Sequence, residues 1–203
     1  MKNSAIILAG GVSKRFGQSK GLVELRKKPL ILHVLDRVSS VADDIAVVVS
    51  SDAQREKFER FSSRKVGVIV DEQKTQSPLV GASTGFNYIQ GKYSLLLPCD
   101  TPFLSTQVAQ LLLDLCVKKS AAIPRWPNGY VEPLQAAYHT ESALRATKIA
   151  LDQGKLNFQS MITRLRKVRY ISTIVLRQVD PKLMTFVNIN TPEDLERAES
   201  ILK

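Results

Sequence analysis

The sequence has little of what many enzymes depend on: it holds two cysteines, two histidines and one tryptophan in 203 residues. Cys99 and Cys116 lack the spacing of a metal-binding pair and do not suggest a disulfide framework. Cys99 falls in an apolar run and Cys116 on the apolar face of an expected helix, so both read as buried thiols. No apolar run approaches the roughly 20 residues needed to span a bilayer. The opening MKNSAIILAGG has one Lys and a short apolar run leading into glycines, not a signal cleavage pattern, so an unprocessed cytoplasmic protein without a membrane role is expected. Internal repeats, low-complexity segments and linker-like stretches are also missing. The length suits one domain over residues 1–203 better than two.

Positive charge, by contrast, is abundant. Lys and Arg number 29 against 19 Asp and Glu, a formal net charge of +10. Such an excess points to an anionic partner, whether nucleotide, phosphorylated metabolite or nucleic acid, or serves solubility alone. The basic residues concentrate at 14–28 and in RLRKVR (164–169). Neither stretch is interleaved with aromatics as single-stranded nucleic-acid platforms usually are.

Short β-rich runs alternate with helical periods. AIILA (5–9), IAVVVS (45–50), VGVIV (66–70) and SLLLPCD (94–100) read as strands, the first being apolar enough for burial on both faces. AAIP (121–124), LQAAY (134–138) and MTFVNI (184–189) read as further strands, LQAAY breaking the simple alternation. One helix is expected to start at Pro29, with Leu30, Ile31, Val34, Leu35 and Val38 on one face and His33 on the opposite surface. Another is expected over 106–119 behind a Ser105 cap, and a third around Phe158, Met161, Ile162 and Leu165. TPEDLERAESILK closes the chain with Thr191 as cap, Pro192 at the first position, and Glu193 and Asp194 in the first turn. This pattern predicts an α/β fold with a mostly parallel sheet covered by helices on both faces. Ligands bind such sheets beyond the carboxyl ends of the strands.

The residues at those strand ends carry chemistry. Gly10 and Gly11 follow the first strand, allowing a sharp turn and close approach of backbone N–H groups to an anion. Lys14, Arg15 and Lys20 would neutralise phosphate, unless the segment is only a turn with solvated charges. The spacing matches neither G-x-x-x-x-G-K-[ST] nor G-x-G-x-x-G. Asp71 follows the third strand, and then SPLVGASTG (77–85), poor helix material that points to a close packing partner or a ligand. Asp100 follows the fourth; it either caps a turn, a role Ser105 already fills, or binds a hard cation such as Mg²⁺ together with phosphate oxygens. Asn190, in NINTPEDL, either makes an Asx-turn or faces the same site. Trp126, in a loop rich in Pro and Gly, is either part of a packed turn or a stacking surface for a planar ring.

LAGGVSKRFGQSKGLVEL resembles the signature loop of the molybdenum cofactor guanylyltransferases, members of the Rossmann-like nucleotidyltransferase superfamily. LLLPCDTPFLS is similar to their metal-binding segment, EPLQAAYH to their substrate-side strand and NINTPEDL to their closing motif, in family order across residues 5–195. The resemblance implies a three-layer Rossmann-like nucleotidyltransferase fold. The implied activity is transfer of GMP from GTP to the terminal phosphate of molybdopterin, releasing pyrophosphate. By position, Leu8, Ala9 and Gly10 would contact the guanine nucleotide, with Gly11 in the same loop, and Lys20 would contact its phosphates. Asp71 would hold the nucleotide side and Asp100 both Mg²⁺ and nucleotide, while Asn188 and Asn190 match the family's late amides. Mg²⁺ on Asp100, the glycine-loop amides, Arg15 and Lys20 would screen the repulsion between the two phosphate groups, which explains a site rich in cations and poor in histidine; His33 and His139 then need no catalytic role.

The chain departs from the family in having Ser77 where Gly is common, and Asp52 where Asn is usual, so the latter site is not carried over. Cytidylyl relatives tend to show Ala in place of Gly10, and sugar-nucleotide relatives Pro in place of Ser19; both details favour guanine. The alternatives are a cytidylyltransferase or other nucleotidyltransferase and, in another class, a non-catalytic basic module binding nucleic acid or protein. Expected partners are GTP and molybdopterin, with other cofactor-synthesis proteins or molybdoenzymes as recipients, and neither nucleic acid nor membrane.

Overall fold

The computed structural model describes residues 2–13, 15–71 and 77–202. A seven-stranded sheet forms its centre: β1 (Asn3–Leu8), β2 (Asp44–Val49), β3 (Val66–Val70), β4 (Tyr93–Pro98), β5 (Ala121–Arg125), β6 (Ala136–His139) and β7 (Val168–Ser172). Their spatial order is β7-β5-β6-β4-β1-β2-β3, and every pairing is parallel except those made by β6. The strands read as apolar runs because both faces are covered. Ile7, Val47 and Leu95 share one core with Ile31 and Val34 of α1 (Leu30–Val38), Phe58 of α2 (Asp52–Glu59) and Val108 and Leu112 of α4 (Thr106–Cys116). Ile6, Ala46 and Leu96 share the other with Leu79 and Phe86 of α3 (Pro78–Tyr88), Ala143 and Ala146 of α5 (Thr140–Asp152) and Met161 of α6 (Phe158–Ile162). The short α7 (Thr173–Leu176) follows β7, and α8 (Pro192–Ile201) ends the chain behind a full capping box between Thr191 and Asp194. Among the described residues no helix is long and apolar enough to cross a membrane.

The chain runs from β1 outward to β2 and β3, then returns across β1 to β4. A switch point of this kind opens a crevice beyond the carboxyl ends of β1 and β4. The glycine loop leaves β1 there, and Asp100 follows β4 two residues after its end.

Several expectations need correction. The segment 184–189 is no strand: Met184–Phe186 is a 3₁₀ turn, entered through Leu183 at φ +50°. Its backbone groups go to side chains at Met184 and Thr185, and to carbonyls outside any ladder at Phe186, Val187 and Ile189. The Asp180 carboxylate accepts from the N–H groups of Met184 and Thr185, and the buried Gln135 amide donates to the Thr185 carbonyl at 2.9 Å. Residues 78–85, poor in helix propensity, nevertheless begin α3 behind a Ser77 cap. Its small residues serve contact with the sheet, since a Cβ on Gly85 would lie 2.4 Å from Cγ2 of Ile6. The helix at 106 ends at Cys116, before Lys119, and the one at 158 ends before Leu165. Pro29 caps α1 and does not occupy its first turn. His33 is half-buried, its Nε2–H donating to the Leu25 carbonyl at 3.0 Å, so it is not a surface residue. Elements without a clear apolar stripe escape sequence reading: α2 buries only Gln54 and Phe58, α5 buries small residues, and β7 buries only Ile171.

Candidate active site at the switch point

The crevice holds a cleft of about 430 Å³, lined by Leu8, Gly10 and Gly11 from β1 and its loop, Lys20, Asp71 and Asp100 among others. Three distant parts of the sequence meet at Lys20, which lines it. The Lys20 ammonium lies 2.6 Å from Oδ2 of Asp100 and also bonds to Oδ1 of Asn190. Asn190 is brought there because the N–H of Ile189 donates to the Asp100 carbonyl at 2.9 Å, while Asp194 accepts the N–H of Asn190 at 3.0 Å. Its side chain therefore faces the site and does not close an Asx-turn.

The other oxygen of Asp100, Oδ1, is buried and has no hydrogen-bond partner, although the residue as a whole is only 7% exposed. A buried carboxylate oxygen left unpaired is costly, so the arrangement is suited to accept a cation or a donor from a ligand. The chemistry of the donor set fits a hard cation bound through one protein carboxylate and substrate phosphates. It does not fit an all-protein cage, since among the described residues no three His, Cys, Asp or Glu side chains cluster.

On the opposite wall the N–H of Asp71 donates to the Val49 carbonyl at 2.8 Å, and its Oδ1 accepts from the Thr84 hydroxyl at 3.1 Å. Gly81 of α3 also lines the cleft, where a Cβ would make ordinary contacts, 3.4 Å from Leu8 Cδ2 and 3.9 Å from Asp71 Oδ2. Gly10 abuts Ser50, whose Cβ would be 3.3 Å from a Cβ at Gly10. Ala9 is buried, its N–H bonded to the Val48 carbonyl at 2.8 Å.

Not every expected residue joins this group. Arg15 is exposed on the loop between Val12–Ser13 and Gln18–Ser19 and is not part of the cleft lining, and Asn188 is likewise exposed and outside it. Lys14 lies outside the described residues. Trp126 sits in a packed turn, its indole N–H donating to Glu132 at 2.7 Å and its ring edge-to-face with Phe186. Burial pushes the Glu132 carboxyl above its usual range, opposed by that indole bond. Burial likewise pushes the Cys99 thiol far up, beside the Asp100 charge, and that of Cys116 to about 12, so neither is a nucleophile. Sequence reading missed Ser50, Gln54 and Thr84. Ser50 follows a strand and was open to the same positional argument; the buried Gln54 and the half-buried Thr84 lie in helices whose inward polar positions leave no periodic signal.

A mostly parallel sheet whose switch point gathers a glycine loop, a lysine and a half-satisfied aspartate fits a nucleotide-handling α/β enzyme. The MobA-like NTP transferase domain model matches residues 5–168, and the chain belongs to that family of nucleotidyltransferases. It is 32% identical over 198 residues to a probable molybdenum cofactor guanylyltransferase of Methanosarcina mazei, covering 95% of this chain and 88% of that one. To the molybdenum cofactor guanylyltransferase of Desulfosudis oleivorans it is 34% identical over 202 residues, covering 98% and 96%. The crystal structure of molybdopterin-guanine dinucleotide biosynthesis protein A from Archaeoglobus fulgidus superposes with a TM-score of 0.84 at 31% identity, over 98% of each chain. A cytidylyl-type neighbour, 4-diphosphocytidyl-2C-methyl-D-erythritol synthase from Anaerococcus prevotii, has a TM-score of 0.75 at 17% identity, over 99% of this chain and 96% of that one, and shares the fold alone.

Proposed function

We propose that the chain is a single cytoplasmic nucleotidyltransferase domain that moves GMP from GTP to the terminal phosphate of molybdopterin. The observation that carries this reading is Asp100, with one oxygen held by Lys20 and the other buried and unpartnered in the switch-point cleft. An acceptor phosphate oxygen attacks the α-phosphorus; a new P–O bond forms and the bond to the β-phosphate bridging oxygen breaks, releasing pyrophosphate. The acceptor needs no protein base, because a phosphate monoester has a second pKa of about 6 and is largely ionised near neutrality. What opposes reaction is repulsion between anions, and cations and fixed N–H dipoles relieve it.

Lys20 binds the phosphates of GTP, and Leu8, Ala9, Gly10, Gly11 and Asp71 form the nucleotide side. Asn190, already beside Lys20, orients a phosphate of donor or acceptor, with Asn188 next to it; Arg15 reaches the phosphates from the exposed loop. Asp100 would hold Mg²⁺ through Oδ1, and a bound Mg²⁺ supplies charge neutralisation of the triphosphate and leaving group. The names of the relatives support guanine and molybdopterin as substrates; other cofactor-synthesis proteins or molybdoenzymes would receive the product. The test supplies molybdopterin and Mg²⁺ with GTP, CTP, ATP or UTP, each labelled at the α-phosphorus. Label is expected on molybdopterin from GTP; transfer from CTP but not from GTP would replace this reading with a cytidylyltransferase.

A further inference from the structure

Gln54 is 6% exposed and uses all four hydrogen-bonding sites of its amide. Its Oε1 accepts from the backbone N–H and the hydroxyl of Ser50, each at 2.9 Å. Its Nε2 donates to the Gly11 carbonyl at 3.2 Å and to the Ser19 hydroxyl at 3.1 Å. The Ser50 hydroxyl accepts in turn from the Gly11 N–H at 3.1 Å. The amide has one workable orientation here, because a backbone N–H only donates and a carbonyl only accepts. One side chain on α2 therefore joins the residue after β2, a glycine after β1, and the residue immediately before Lys20.

Two features make this more than a satisfied buried amide. Gly11 sits at φ +93°, in a backbone region where a glycine has no side chain to limit its path. The hydrogen bonds to both of its backbone groups are then what fixes the direction of its peptides. In addition, the bonds to Gly11 and Ser19 reach both ends of a loop that the pairing of Val12–Ser13 with Gln18–Ser19 closes, so Gln54 anchors that hairpin to α2 and Ser50. Gln54 does not itself line the cleft, whereas Gly11, Ser50 and Lys20 do.

We propose that Gln54 is a positioning residue for the triphosphate: a clasp that holds both ends of the 11–19 loop and so aims Lys20 and the Gly11 peptides into the cleft. This rests on the nucleotide reading above. Loosening the clasp leaves the acceptor side and Asp100 in place while letting the loop drift. Displacements of about an ångström remote from the reacting atoms cost up to about a hundredfold.

The test uses the full chain with two substitutions. Gln54→Met keeps length and burial without hydrogen bonds. Gln54→Glu keeps the acceptor for Ser50 but, as a carboxylate, cannot donate to Gly11 or Ser19. GTP and CTP are each titrated with Mg²⁺ into wild type and variants, KM is measured for both substrates, and unliganded melting is followed. In both variants, GTP affinity is expected to fall about tenfold or more with the KM for molybdopterin unchanged. Variants that fold and keep GTP affinity within about twofold of wild type overturn the proposal, as does an equal rise in KM for both substrates, which marks a structural role only. A wild type that binds CTP but not GTP defeats the guanine reading alone, and the clasp is then judged on CTP; a wild type that binds neither defeats both.

Discussion

Asp100, Lys20 and Asn190 form a short chain of charge-assisted contacts drawn from residues up to 170 apart in sequence. Asp100 could be read from the sequence because it falls just past a strand, where an α/β sheet presents its ligands; Lys20 was read from the basic glycine loop, and Asn190 from a strand at 184–189 that the structure replaces with a 3₁₀ turn. Their mutual geometry could not be read, because it depends on the Ile189–Asp100 backbone bond and on the Asp194 cap that turn Asn190 inward. Gln54 was hidden for a stronger reason, since nothing local distinguishes a buried glutamine that bonds a distant loop from the solvated residues around it. His33 shows the same limit from the other side. It looked like surface, yet burial, together with the charges of Lys28 and Arg37, lowers its pKa below 6.5 against the opposing hydrogen bonds to backbone. The neutral ring is favoured in the folded state, so its stabilising contribution is present above the unfolded pKa and is lost as pH falls through that value toward the folded one. Thermal stability is expected to decline as pH drops below about 6.5, and His33→Gln is expected to flatten that slope. An unchanged slope in the variant, followed by calorimetry across pH 5 to 8, would assign the decline to other groups.

At the scale of elements, strands β1 to β6 and the amphipathic helices α1 and α4 were legible because apolar patterning records which faces are buried, and α8 because its capping residues mark its start. Three kinds of element were not. α5 packs through Ala143, Ala146, Thr147 and Ala150, small residues that do not stand out as a stripe. β7 is an edge strand with a single buried residue. The 184–189 segment has β-forming side chains, but Asp180 and Gln135 capture its backbone groups first. α3 shows propensity yielding to packing: Gly85 costs helix stability but lets the helix approach β1 closely enough to form one wall of the cleft. Gly85→Ala gains about 1 kcal/mol of helix propensity. Against that, a Cβ 2.4 Å from Ile6 Cγ2 forces strain of about 1–3 kcal/mol. The net expectation is a modestly less stable protein in urea unfolding. A more stable variant would show that the helix can retreat from β1 without penalty.

The whole molecule joins a basic surface, +10 in net charge, to a switch-point cleft in which one carboxylate is only half satisfied. The charge alone could have served a nucleic-acid binder. The family to which the chain belongs, that of the MobA-like NTP transferase domain, directs it to a nucleotide instead. The general architecture was readable from the alternation of strands and helices, and the family from motifs in order along the chain. The antiparallel β6 and the edge position of β7 needed the structure, since register and edge placement are set by long-range pairing. The most direct measurement compares Mg²⁺-dependent pyrophosphate release from GTP and molybdopterin in wild type and Asp100→Asn, with unliganded melting as a check on the fold. The substitution keeps the shape and an acceptor for Lys20 but removes the charge that would hold the cation. Turnover is expected to fall by about a hundredfold or more while the protein stays folded. Unaltered Mg²⁺-dependent turnover in a folded Asp100→Asn protein would contradict the placement of the reaction in this cleft.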